Sequence, residues 1–245
     1  MTLFYINFGL DYDEYIMEEN ELRYGFQLHT RFISNYLSKE IRKIRFKTDG
    51  SFNMLSISLT ESKINPCKIV PFEVLDVQLP FDRAKYFIIK GTNDCSYYLD
   101  LIEKGFEIAS EFKTIPYKEL IQIVQKFRDG NCKNEWLELK KKFKEDDLEI
   151  FLLSEFTTNY YQIRIIIKQI STKKEIINEV VIRTEPYEVV FENLVKTIEI
   201  ENTIIIKNKF NEAVIEINKE DIFRGKLNYK ILQKGKENEK LNYLM

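Results

Sequence analysis

One histidine, His29, supplies all the imidazole in this chain of 245 residues. Multi-histidine zinc and iron sites are thereby excluded, because a lone ring cannot furnish the ligand sets those metals take. A Ser-His-Asp or Cys-His arrangement would have to use His29 as its base, and no serine stands in a GxSxG elbow. Eight glycines are spread too thinly to build a phosphate-binding loop. The three cysteines, Cys67, Cys95 and Cys132, are odd in number and lack CxxC spacing. They read as reduced thiols of a cytoplasmic protein, with neither a disulfide framework nor a cysteine zinc site. No apolar run approaches the ~20 residues of a membrane helix. The opening Met1-Thr2-Leu3-Phe4-Tyr5-Ile6-Asn7-Phe8 has no basic leader and reads as a first strand, not as a secretory signal.

Charge of one sign is also missing. Lysine and arginine number 37 against 39 acids, so the formal net charge is −2 and there is no general field to attract nucleic acid. What remains is a composition 44% hydrophobic and 13% aromatic, enough for a sizeable core in a chain of this length.

The periodicities predict an α+β fold. An N-terminal strand leads into a helix over 25–38, with Leu28, Phe32, Ile33, Tyr36 and Leu37 on one face. Asp49-Gly50, between Lys43–Lys47 and Ser51–Leu59, predicts a β-hairpin. Residues 69–79 read as one long strand whose phase shift marks a bulge. Helices follow over 96–112, between Pro116 near its start and Asp129-Gly130 just past its end, and from Asn134 to about Glu145, the last burying Trp136, Leu139 and Phe143. From Leu148 the period becomes two, as in Tyr161, Ile163, Ile165 and Ile167, which predicts a mainly antiparallel C-terminal sheet. A short helix near 187–196 interrupts it. The chain reads as one compact unit, or as two lobes, 1–147 and 148–245.

Six carboxylates crowd into eleven residues, Asp11, Asp13, Glu14, Glu18, Glu19 and Glu21, with no cation among them. Tyr12 and Tyr15 are interleaved with them, and Tyr24 follows. Such a segment suits a basic protein surface: aromatic rings supply contact area, and opposite charge speeds association. It lacks the glycine and terminal glutamate of an EF-hand loop, so no metal is assigned to it. Lys39, Arg42, Lys43, Arg45 and Lys47 form a basic edge, read as solubilising and not as a nucleic-acid contact. Glu138-Leu139-Lys140, with Asp129 upstream, has the acid-x-lysine spacing of restriction-type nucleases, but that motif needs a strand and this segment reads as helix.

Taken together, these features predict a protein without catalytic residues or cofactor that binds a protein partner through Asp11, Tyr12, Asp13, Glu14, Tyr15, Glu18, Glu19 and Glu21. The concrete form is an immunity- or inhibitor-type protein that occludes the active site of a basic toxin or nuclease, with no direct contact to nucleic acid or membrane. A carboxylate- or metal-dependent hydrolase is the alternative, and a structural or assembly subunit the second.

Overall fold

The computed structural model describes residues 1–62, 64–187 and 194–232. The fold is α+β, and the chain divides into two compact units. Unit 1 comprises Met1–Asn134 with Thr157–Asn159; unit 2 comprises Glu135–Phe156 and the chain from Tyr160 onward. The composition break near residue 147 therefore falls inside unit 2.

Unit 1 is built on a sheet of order β1-β2-β4-β3, with β1 (Tyr5–Leu10), β2 (Met54–Thr60) and β4 (Val74–Pro80) parallel and β3 (Lys68–Val70) antiparallel at one edge. The alternation Ile6, Phe8, Leu10 on β1, Leu55, Ile57, Leu59 on β2 and Leu75, Val77, Leu79 on β4 puts nine buried apolar side chains on one face. A 25-residue helix, α2 (Asn20–Ile44), runs along β1 and serves its outer edge. The Ser38 hydroxyl accepts the Ile6 N–H at 3.0 Å and donates to the Ile6 carbonyl at 3.1 Å, while Ser34 Oγ accepts the Phe8 N–H at 3.1 Å. Backbone groups that would otherwise lack a strand partner are thus satisfied by helix side chains.

The region around Asp49-Gly50 departs from the predicted hairpin. Residues 43 and 44 still belong to α2, Arg45 ends the helix in a left-handed conformation, and β2 pairs in parallel with β1 and β4. The hairpin of this region is β3–β4. What reads as a bulge in 69–79 is its turn, where Phe72 and Glu73 both have positive φ, 64° and 62°. Consecutive left-handed residues are the geometry for which Asn-Gly is ordinarily used, and here they leave the Phe72 ring 94% exposed.

Three helices follow: α3 (Arg83–Ile89), α4 (Ser96–Phe112) and α5 (Tyr117–Asp129). The last two match the predicted spans and form an αα-hairpin. Its open end is closed by a Cys95–Cys132 disulfide with Cα atoms 6.5 Å apart, within the range a bridge spans. This corrects the expectation of three reduced thiols: the pair is 37 residues apart in sequence and meets only because α5 returns beside α4. In the chain-entropy account, closing a loop of that length stabilises the fold by roughly 4 kcal/mol.

Unit 2 contains two antiparallel sheets, with orders β5-β6-β7-β8 and β12-β11-β10-β9. The first is β5 (Asn134–Phe143), β6 (Leu148–Phe156), β7 (Tyr161–Gln169) and β8 (Glu175–Thr184); the second is β9 (Thr197–Ile200), β10 (Thr203–Lys207), β11 (Ala213–Asn218) and β12 (Tyr229–Ile231). The predicted helix over 134–145 is thus strand β5. Trp136, Leu139 and Phe143 share a helical face by spacing, but as an edge strand the segment keeps them only partly covered. Its lysines fit an edge that must stay soluble. On β6 and β7 the period of two is realised as read: Leu148, Ile150, Leu152 and Phe156 face inward with Tyr161, Ile163, Ile165 and Ile167. On β8 a register shift opposite Ile163/Arg164 buries both Val181 and Ile182, so the inward phase changes along the strand. Tyr229 Oη donates to the Val181 carbonyl at 3.1 Å, tying the second sheet to the first. The predicted helix near 187–196 falls largely on 188–193, outside the described residues.

Gly105 on α4 packs directly against Ile57 of β2. A Cβ there would lie 2.5 Å from Ile57 Cγ1 and 2.8 Å from its Cδ1. Alanine in a helix gains about 1 kcal/mol over glycine, whereas overpacking a closed core costs roughly 1–3 kcal/mol. Gly105→Ala is therefore expected to lower the stability measured by urea unfolding.

Candidate functional site

Open α/β sheets offer sites beyond the carboxyl ends of their parallel strands, where loops leave the scaffold. The acidic segment lies there in unit 1, following directly on β1. Asp11 caps the short helix α1 (Tyr12–Tyr15): its Oδ1 accepts the Glu14 N–H at 3.0 Å and its Oδ2 accepts from Gln78 Nε2 at 2.8 Å. The Glu14 carboxylate accepts from the Thr60 hydroxyl and, at 3.2 Å, from the Glu61 N–H. Tyr15 is buried, and its hydroxyl donates to Glu61 Oε2 at 3.0 Å. Burial, then the hydrogen bond to Glu61 and the neighbouring carboxylates, push its pKa up. Glu19 receives both terminal nitrogens of Arg83, at 2.9 and 2.6 Å, and this hydrogen bonding holds its carboxyl below the usual range. The same guanidinium reaches Glu61 through Nε at 3.2 Å.

Four of the eight predicted residues, Asp11, Glu14, Tyr15 and Glu19, therefore hold the segment to the strand ends. The other four, Tyr12, Asp13, Glu18 and Glu21, are exposed. Beside them in sequence stand Met17, 86% exposed, and Tyr24, 45% exposed. Arg23 donates to Asn20 and lies 5.2 Å from the Tyr12 ring centroid. The outcome is a carboxylate-rich surface with aromatic and thioether contact groups on a fixed base. Sequence reasoning did not single out Met17 or Arg83; an apolar residue between charges, and the only arginine just after β4, were the available signals.

Inside the same sheet, the polar face carries Ser56, Ser58, Asp76 and Gln78, all buried. Ser58 Oγ donates to Asp76 Oδ1 at 2.5 Å, Asn7 Nδ2 donates to Ser56 Oγ at 3.0 Å, and the Asn65 N–H donates to Gln78 Oε1 at 2.8 Å. Burial raises the Asp76 pKa, against the opposing effects of the Ser58 hydrogen bond and Lys68.

His29 sits on α2, half-buried, with Nδ1 2.7 Å from the Gly25 carbonyl and 3.2 Å from Tyr86 Oη. Burial pushes its pKa down. In unit 2, Glu138 and Lys140 do lie on a strand, but their side chains are engaged locally: Ser154 Oγ donates to Glu138 at 2.8 Å, and Lys140 Nζ lies 3.1 Å from Glu149. Among the described residues, no group of three or more His, Cys, Asp or Glu side chains is placed to hold a metal ion, and no helix is long and apolar enough to cross a membrane. No family model, no curated protein and no solved structure matches this chain.

The raised pKa of Asp76 fixes the sign of a pH effect. Between its ordinary value of 3.8 and the higher folded value, the native state binds more protons than the unfolded chain, so stability falls as pH rises through that window. Asp76→Asn removes this titration. Its Tm relative to the parent protein is expected to climb from pH 4 toward pH 7 in a thermal-melt series, and a flat difference would show that Asp76 is not desolvated.

Proposed function

We propose that this chain is a non-catalytic, cytoplasmic protein that binds a protein partner, in its concrete form an immunity- or inhibitor-type protein that occludes the active site of a basic toxin or nuclease. The observation that carries this reading is the division of labour in the acidic segment. Asp11, Glu14, Tyr15 and Glu19 are anchored to β2, β4 and α3, while Tyr12, Asp13, Met17, Glu18, Glu21 and Tyr24 face solvent. An anchored base reduces the ordering cost of binding, and exposed carboxylates raise the encounter rate with a cationic surface.

A carboxylate-dependent hydrolase is the second reading, favoured by the buried Asp76–Ser58 pair near Asp11. In that case Asp76→Asn would abolish a hydrolytic activity while leaving partner capture intact.

The test is a pull-down with tagged protein followed by titration against the recovered partner. The combined Asp13→Asn, Glu18→Gln and Glu21→Gln variant is expected to bind roughly tenfold more weakly, through a slower on-rate, with the difference shrinking at high salt. Tyr12→Ala and Met17→Ala should instead raise the off-rate. Glu14→Gln should lower Tm with little change in rate constants at permissive temperature. Unchanged binding by the charge variant would overturn the assignment of this surface.

A further inference from the structure

The three cysteines occupy different environments. Cys67 is half-buried, and burial together with the Asp76 charge pushes its thiol pKa up, which keeps it protonated and slow to react. Cys95 is 4% exposed and stands at the N-cap position of the 17-residue helix α4. Cys132 is partly exposed and lies within bridging distance of Cys95. Both Asn131 and Cys132 are in the left-handed region, with φ of 54° and 55°. Non-glycine residues pass through that region only when their surroundings hold them there. The holding contacts are the Asn131 N–H to the Arg128 carbonyl, the Cys132 N–H to the Phe127 carbonyl, both 2.9 Å, and the covalent tie to Cys95.

We propose that Cys95 and Cys132 form a thiol–disulfide switch that fastens and releases the open end of the α4–α5 hairpin. The co-reactant is a small-molecule disulfide of the glutathione class. The accessible Cys132 thiolate attacks one of its sulfurs, breaking that S–S bond and releasing the first thiolate. The Cys95 thiolate then attacks Cys132 Sγ, forming the protein bridge and expelling the second thiolate. The two protein thiols are oxidised, the small disulfide is reduced to two thiols, and the two protons lost by the cysteines end on those leaving groups. Reduction runs the same steps backward.

The consequence reaches beyond the turn. Two residues after Cys132, Asn134 Nδ2 donates to the Phe32 carbonyl at 2.8 Å and to Asn35 Oδ1 at 2.9 Å, both on α2. Helix α2 also carries Glu21 and Tyr24 of the acidic surface. The released turn thus loosens an attachment of that helix.

The test uses the full chain with Cys67→Ser, equilibrated across mixtures of reduced and oxidised glutathione. Thiols are trapped by alkylation and counted by mass spectrometry, and amide exchange is followed in parallel. Both remaining thiols are expected to disappear together in one two-electron transition, and exchange over residues 128–134 to be roughly tenfold or more slower in the bridged form. A Cys132→Ser companion should keep the faster exchange in both buffers. The proposal is overturned if the bridge survives excess reduced glutathione, if the thiols never pair, if exchange is the same in both forms, or if the companion shows the same protection.

Discussion

The requirement that the ends of the β1–β2–β4 sheet satisfy their hydrogen-bonding groups shapes everything around the acidic segment. Chain leaving β1 is captured at once: the Asp11 N–H donates to the Leu59 carbonyl at 2.8 Å, and the Phe81 N–H donates to the Thr60 carbonyl at 2.8 Å. Asp11 and Glu14 supply acceptors for Gln78, Thr60 and the Glu61 N–H, and Arg83 draws Glu19 and Glu61 together. Charged acceptors of this kind make stronger hydrogen bonds than neutral ones. The carboxylates nearest the sheet are therefore structural, and those one step farther out are left for solvent or a partner.

Much of the fold was legible in local pattern, and the failures share one cause. Helices α4 and α5 carry their own periodicity, and β6 and β7 alternate strictly, so nearest-neighbour chemistry suffices for them. Strand β5 misleads because Trp136, Leu139 and Phe143 fall at helical spacing, while its identity as a strand depends on pairing with β6. Asp49-Gly50 misleads in the same way: a good turn dipeptide does not reveal that the strand after it will pair in parallel with segments far away in sequence. The Cys95–Cys132 bridge depends on the return of α5, which no spacing rule encodes.

The candidate site was legible as composition and not as geometry. Eight residues from Asp11 to Glu21 could be singled out because acids and aromatics cluster there. Which of them turn inward is decided by Thr60, Gln78 and Arg83, between 46 and 67 residues away from their partners. Tyr15 and Tyr12 have the same side chain three residues apart on α1, yet one is core and the other is 61% exposed.

Ser34 and Ser38 give the sheet a direction of growth. With hydroxyls seated on Ile6 and Phe8, the β1 side is plugged by its own helix and offers no ladder to an incoming strand. The opposite side ends in the three-residue β3, too short to template much. Fusion or insertion of a strand-forming tag at β1 would first have to dislodge α2, whereas the tip at Phe72 could accept extra chain without competing for any backbone partner of β1.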